Sequence, residues 1–341
     1  MTRGGYDICR PDEGKVANMN KVTALLKRAV IALAIPVVLY LLLFIAAPSS
    51  IGINSFFELL RQSIAAAILS WGMVYGLKIG IWNYSVGASV MFAAIYGGNI
   101  ALRLNLGLIP TIVLITLVGT LVGLVTGCLF IFLKIPSMIL TIGMMVIMES
   151  ATAVAFGGGG VTMMNDILKL GLFPYDVIVG VVLYIVCYIL MYKMSIGYNL
   201  RAVGSNISAA KLNGINIDKT RILCFTITGF FCGCYAFMAI GKSSVITPRV
   251  NMDSLSITFD ALIGGFIAIA LEKQVNLALG VYIGSLSIQL IKTNIIAWKF
   301  PSVFQQAIVA IFLLIIIAFT TKSEATEALA RMKKHRLNAH E

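Results

Sequence analysis

Few side chains in this sequence could do chemistry. Both histidines, His335 and His340, sit near the C-terminal end of the chain. The apolar body therefore has no histidine to build a metal site or to activate a nucleophile. Cys232 and Cys234 form the tightest cysteine pair, but they lie in an apolar run, where residues two apart on a helix point to different faces. They read as small buried hydrophobes rather than ligands. No Walker-type phosphate loop occurs, so the chain hydrolyses no nucleotide by that route. What remains is a set of polar residues inside apolar runs: Lys78, Asn83, Glu149, Asp260, Gln289 and Lys292. Such residues are costly in a bilayer and default to functional candidates. Asp260, with Ser256 and Thr258 just before it, is the strongest of them. It reads equally as an ion-coupling carboxylate, a helix-to-helix hydrogen bond or an N-terminal helix cap. Glu149 lies two-thirds along its run, within reach of an interface, while Lys78 and Lys292 either snorkel to a helix end or face inward.

The elements that hold these residues must be membrane helices. Of 341 residues 59% are apolar and 12% charged, with a mean hydropathy of +0.96. An average soluble domain is roughly 45–50% apolar and about 25% charged, so no water-facing shell can cover this much apolar surface. Six scattered cysteines do not make a secreted disulfide framework. A hydrocarbon core of about 30 Å takes roughly 20 helical residues to cross. Runs near that length fall at 29–47, 60–82, 84–102, 108–133, 135–156, 172–192, 221–243, 257–271, 275–296 and 303–320. The expected fold is an all-α, polytopic membrane bundle of about ten segments. The interruption at Ile81-Trp82-Asn83-Tyr84 and the short run 257–271 mark helices that are broken or re-entrant.

Charge sets the orientation. The net charge is +12, and 16 of the 26 Lys and Arg residues lie in three stretches: 1–28, 193–221 and the tail after Thr321. Lys and Arg near span ends mark cytoplasmic loops. The chain is thus expected to have a cytoplasmic N-terminal segment 1–28, a transmembrane domain 29–320 with a cytoplasmic loop at 193–220, and a cytoplasmic tail 321–341. Six crossings bring the chain back inside at Lys193 and four more return the tail there. No folded polar domain is available to carry a nucleic-acid patch, and no cleavable signal peptide is evident. Glycines every four residues, at Gly119, Gly123 and Gly127, at Gly229 and Gly233, and at Gly280 and Gly284, predict close helix packing. The run Gly157 to Gly160 reads as a flexible external loop.

The cytoplasmic loop holds the most telling pattern. Asn206 is a good N-cap, Ala209 to Leu212 are strong helix formers, and Gly214 is a natural stop. A short capped helix with small residues on one side suits docking into a groove on a partner, although a plain surface helix fits the same residues.

The stretch Gly197 to Ile215 resembles the coupling-helix signature of membrane permease subunits of ABC importers in the ribose-type and branched-chain amino-acid superfamily. There the recurring core is Gly-Asn-x-x-Ala-Ala-x-x-x-Gly-Ile, and here only the first glycine is replaced, by Ser205. Ile135-Pro136-Ser137-Met138-Ile139-Leu140-Thr141-Ile142-Gly143-Met144-Met145 is similar to the family's proline-led segment. Ser85-Val86-Gly87-Ala88, with Gly72-Met73 upstream, resembles its Ser-Val-Gly segment, and Leu262-Ile263-Gly264-Gly265 is a partial fourth match. The matches keep the family's order over most of residues 60–320. Departures occur at Asn83, Ile207, Ser254-Leu255 and Phe266 to Gln274, which implies a divergent subgroup.

The resemblance implies a permease subunit without its own ATPase. Gly204, Asn206, Ala209, Ala210, Gly214 and Ile215 would couple it to separate cytoplasmic ATPase subunits, which bind the ATP. This chain itself needs no cofactor and no metal. An extracytoplasmic solute-binding protein would deliver a sugar or related small polar solute, and a second permease subunit, identical or not, would complete the pathway. Asn83, Ser85, Thr141, Met144 and Asp260 are the candidates for its lining. The rival reading is a secondary transporter driven by an ion gradient, with Asp260 or Glu149 as coupling carboxylate.

Overall fold

The computed structural model describes residues 33, 35–45, 53–163, 171, 173–272, 274–299, 301, 304, 307–312, 314 and 315. The expected segments 1–28 and 321–341 lie outside the described residues. In chain order the helices are α1 (Ile35–Ile45), α2 (Ile53–Lys78), α3 (Val86–Phe92) running through a π turn (Ala93–Gly97) into α4 (Gly98–Arg103), α5 (Leu108–Leu133) and α6 (Ser137–Val154). They continue with α7 (Tyr175–Tyr192), α8 (Ser195–Ser205), α9 (Ile207–Leu212), α10 (Ile217–Ser243), α11 (Leu255–Ala270) and α12 (Leu277–Ala297). Two short strands, β1 (Val161–Thr162) and β2 (Val245–Ile246), pair antiparallel.

The all-α membrane bundle is present, and the described residues do not confirm the count of ten crossings. Six described helices are long and apolar enough to span: Val86–Arg103, Leu108–Leu133, Ser137–Gly158, Tyr175–Tyr192, Ile217–Ser243 and Leu277–Ala297. The shortfall has local causes. Helix α2 is 26 residues long but carries Glu58, Arg61 and Gln62 in its first half. Helix α11 has 16 residues, which at 1.5 Å each cover about 24 Å, short of the hydrocarbon core. Half of run 303–320 lies outside the described residues.

Local signals place most helix ends. Helix α5 ends at Lys134, which takes the left-handed conformation (φ 53°), and Pro136 caps the start of α6. The expected break between the second and third runs is real. Helix α2 closes on Gly80 at φ 73°, and the chain resumes helical structure only after Ser85.

Helix α10 is the central element and packs most closely on α5, then on α2, with α11 and α12 completing the core. The predicted glycine stripes make the α5–α10 seam. A Cβ on Gly123 would stand 2.3 Å from the Phe225 carbonyl oxygen, and one on Gly229 would stand 2.4 Å from that of Gly119. The two backbones touch, and only glycine fits between them. On the opposite face α5 presents Ile109, Val113, Leu117 and Leu121 outward, as a helix facing lipid should. Trp71 and Tyr75 of α2 and Phe231 and Met238 of α10 fill the dry centre.

Candidate functional site

The capped segment forms as one short helix, α9, and a second helix, α8, precedes it. Helix α8 spans 11 residues and α9 six. The Asn206 carboxamide oxygen accepts the backbone N–H of Ala209 at 3.0 Å, the expected N-cap bond. Gly214 takes φ 77°, and Ile215 donates its N–H to the Ala210 carbonyl at 3.1 Å, which closes the helix. Ala210 is 3% exposed and seats α9 on the neighbouring chain. Ile207 and Leu212 point out, at 46% and 89% exposure. Ala209, Gly214 and Gly204 are also exposed and Ile215 is half-buried. Ser205, which stands where the motif has glycine, turns its hydroxyl back onto the Ala202 carbonyl at 2.9 Å and ends α8. Helix α8 was missed, although Ile196, Leu200 and Val203 recur at helical spacing and Leu200 and Val203 are buried.

The five candidates for the pathway lining do not stand together. Asn83, Ser85 and Thr141 are buried and join in a polar knot at the α2–α3 break. The Asn83 side-chain oxygen accepts from the Ser85 backbone N–H at 3.1 Å and from its hydroxyl at 2.8 Å. The Thr141 hydroxyl accepts the Tyr84 N–H at 3.1 Å and lies 2.8 Å from the Ser137 carbonyl. Thr258 of α11 accepts the Gly87 N–H at 3.0 Å. Backbone groups freed by the break are thus satisfied by side chains of α6 and α11. Met144 is half-buried on α6, against a small cluster that holds Ala88, Met145 and Met148.

Asp260 stands apart from that knot, on the wall of a cavity of about 910 Å³. Its walls come from Met91 of α3, Tyr235, Ala239 and Ser243 of α10, the chain from Val245 to Asp253, the first turns of α11, and Lys292 of α12. Helix α10 has 27 residues, so the cavity at its Ser243 end lies about 40 Å from α8 and α9 at its Asn216 end. Asp260 is ion-paired with Lys292 across α11 and α12. Lys292 is therefore an inward-facing partner rather than a snorkelling lysine. Arg249 holds Asp253 at 3.2 Å and the Ser256 hydroxyl at 3.2 Å. The cavity thus offers two cations and two carboxylates, each cation beside a carboxylate, together with hydroxyls. Neutral polar groups can hydrogen-bond there without a net charge to satisfy. Arg249 and Asp253 went unnoticed in the sequence, where their four-residue spacing was the available signal.

Glu149 is 4% exposed and belongs to the scaffold of this cavity. One carboxylate oxygen accepts the Met252 N–H at 2.9 Å; the other accepts the Ser254 N–H at 3.1 Å and the Ser254 hydroxyl. It fixes the start of α11 just where Asn251 and Met252 take left-handed backbone angles of 59° and 62°. Of the glycine run at 157–160, Gly157 to Gly159 are exposed and only Gly160 is built into the same end. Gly160 passes so close to β2 that a Cβ would lie 2.2 Å from the Ile246 carbonyl oxygen. At the other end of α11, Lys78 pairs with Glu272. Gln289 of α12 donates to Gln62 of α2 at 2.7 Å. Among the described residues no group of three or more His, Cys, Asp or Glu side chains is placed to hold a metal ion.

Residues 55–318 match the family model described as branched-chain amino acid transport system / permease component. The chain is 23% identical to the ribose import permease protein RbsC of Haemophilus influenzae, over 79% of this chain and 86% of that one. It is 29% identical to the galactofuranose transporter permease protein YtfT of Escherichia coli, over 76% and 77%. It is 26% identical to the autoinducer 2 import system permease protein LsrC of an Enterobacter species, over 68% of each. No solved structure matches.

Proposed function

We infer the function from one premise: the chain belongs to the family of branched-chain amino acid transport system permease components. It is a multi-pass membrane protein and a transport component, not an enzyme. Our reading is that it is the permease subunit of an ABC importer. The solute is a sugar or a related small polar molecule, in keeping with relatives named for ribose, galactofuranose and autoinducer 2. Its termini and the α8–α9 segment face the cytoplasm, and separate ATPase subunits grip that segment. A second permease subunit completes the pathway, and an extracytoplasmic binding protein presents the solute at the cavity end. Asp260 lines the pathway with Lys292 and Arg249, and the Asn83–Ser85–Thr141 knot, with Met144, bounds it deeper in the bundle. Closure of the ATPases on ATP would shift the docked helices and switch access from one side to the other, so the permease needs no coupling carboxylate of its own.

The observation that carries this reading is helix α9. Its caps are satisfied within the segment, and its Leu212 and Ile207 side chains are left without cover. Exposed apolar residues on a rigid, polar-rimmed element mark a protein contact. The ion-driven alternative is less well supported, because both of its carboxylates are already engaged, Asp260 by Lys292 and Glu149 by the start of α11. The test is purification of the intact chain from its own membranes, followed by uptake in proteoliposomes. A nucleotide-binding subunit should copurify, uptake should require ATP, and Leu212→Asp should remove both. Ala210 is the wrong probe, since a bulky side chain there would disturb the segment itself. Uptake driven by an ion gradient in vesicles without any ATPase would reject the reading.

A further inference from the structure

The turn between α11 and α12 is held from both sides by the elements that carry the docking segment. Lys78, the last residue of α2, is ion-paired with Glu272, just past the end of α11. The backbone carbonyl of the same Lys78 lies against α8, so close that a Cβ on Gly204 would stand 2.4 Å from its oxygen. On the other side, Leu277 at the start of α12 donates its N–H to the Tyr192 hydroxyl at 2.9 Å. The Tyr192 ring lies 5.6 Å from the guanidinium of Arg201, which belongs to α8. The two helices that leave this turn carry Asp260 and Lys292, the ion pair on the cavity wall.

Which elements are free to move follows from how they are packed. The α5–α10 seam is backbone against backbone, with no slack for sliding. Helix α11 is short, begins at a bent segment with two left-handed residues, and ends in the 271–276 turn. Its start is pinned by Glu149, and a Cβ on Gly284 of α12 would stand 2.6 Å from the Gly264 carbonyl oxygen, so α11 and α12 move as one body about that start. Asp260 lies twelve residues before Glu272, a lever of about 18 Å along a helix. A half-exposed ion pair contributes little to stability, but it ties the turn end of that hairpin to the end of α2.

We propose that the Lys78–Glu272 pair is a positioning link, through which a shift of the docking segment is passed to the α11–α12 hairpin and so to the Asp260–Lys292 wall. This rests on the importer reading. Coupling between distant sites travels through contiguous contacts that have two arrangements. Here the contacts run from Gly204 to Lys78, to Glu272, and along α11.

The test uses the complete transporter, chain with its ATPase subunits and binding protein, in proteoliposomes, with uptake and ATP hydrolysis measured in the same vesicles. Lys78→Glu and Glu272→Lys are each expected to lower the solute moved per ATP on the order of tenfold, while the ATPase still copurifies and still hydrolyses. The double swap should recover most of the ratio. Glu272→Gln, gentler on folding, should lower it less. The proposal is overturned if the ratio stays at the wild-type value in the single variants, or if uptake and hydrolysis fall in proportion and the double swap restores neither. Absence of ATP-dependent uptake in the wild type would instead overturn the importer reading, and the proposal with it.

Discussion

The two ends of α10 are built in opposite ways. At its Asn216 end, helix α9 is held by bonds that run a few residues along the chain: Asn206 to Ala209, Asn213 to Ala209, Ile215 to Ala210. At its Ser243 end, the cavity draws on α3, α10, α11 and α12, and its scaffold adds Glu149 from α6. On the importer reading, that end is a self-contained cartridge for a partner to grip. The cavity end exists only when chain segments more than a hundred residues apart are in register, as Glu149 and Ser254 are. A transporter benefits from this division, because the part gripped must stay rigid while the part facing the solute must change shape.

This contrast predicts where damage will be greatest. Gly87→Ala should be the most severe change at the cavity end, because its Cβ would stand 2.1 Å from the Ser254 carbonyl oxygen. Forcing the α3 and α11 backbones apart should cost at least the upper end of the usual overpacking range, about 3 kcal/mol. The expected result is loss of monodisperse protein in detergent. Glu149→Ala should follow, at about 2–3 kcal/mol, since the backbone N–H groups of Met252 and Ser254 lose their buried acceptor. Glu149→Gln, which keeps an acceptor, should recover part of the thermal midpoint. The smallest effect belongs to the docking end. Asn206→Ala removes one N-cap bond, for about 1 kcal/mol. Its thermal midpoint should barely move while ATPase copurification weakens. A larger stability loss from Asn206→Ala than from Glu149→Ala would break the contrast.

Legibility followed the same line. Helix α5 was expected at 108–133 and spans Leu108–Leu133, because an unbroken apolar run between Gly107 and Lys134 admits one solution. The Asn206 cap and the Gly214 stop were readable for a similar reason: each depends on a side-chain type and a spacing of a few residues. The glycine stripes foretold a close seam, and α5 against α10 supplies it. The short run 257–271 was marked as broken or re-entrant, and α11 is indeed shorter than a full span, while the count of about ten crossings is not confirmed by the six described helices long enough to span. Glu149 was placed near an interface because nothing along the chain announces that its acceptors serve Met252 and Ser254. The β1–β2 pairing was likewise invisible, joining residues at 161–162 and 245–246 through backbone groups alone.

What the sequence determined unaided is a helical membrane protein, the place of most of its helices and the caps of α9. Composition, periodicity and caps act within one or two turns, and nothing distant needs to be known to apply them. The tertiary structure decided which polar residues meet. Asp260 meets Lys292, Glu149 meets the start of α11, and Lys78 meets Glu272 beside the docking segment. Each of those meetings depends on how helices cross in space, and a side chain's place along the chain does not encode what a neighbouring helix brings to it.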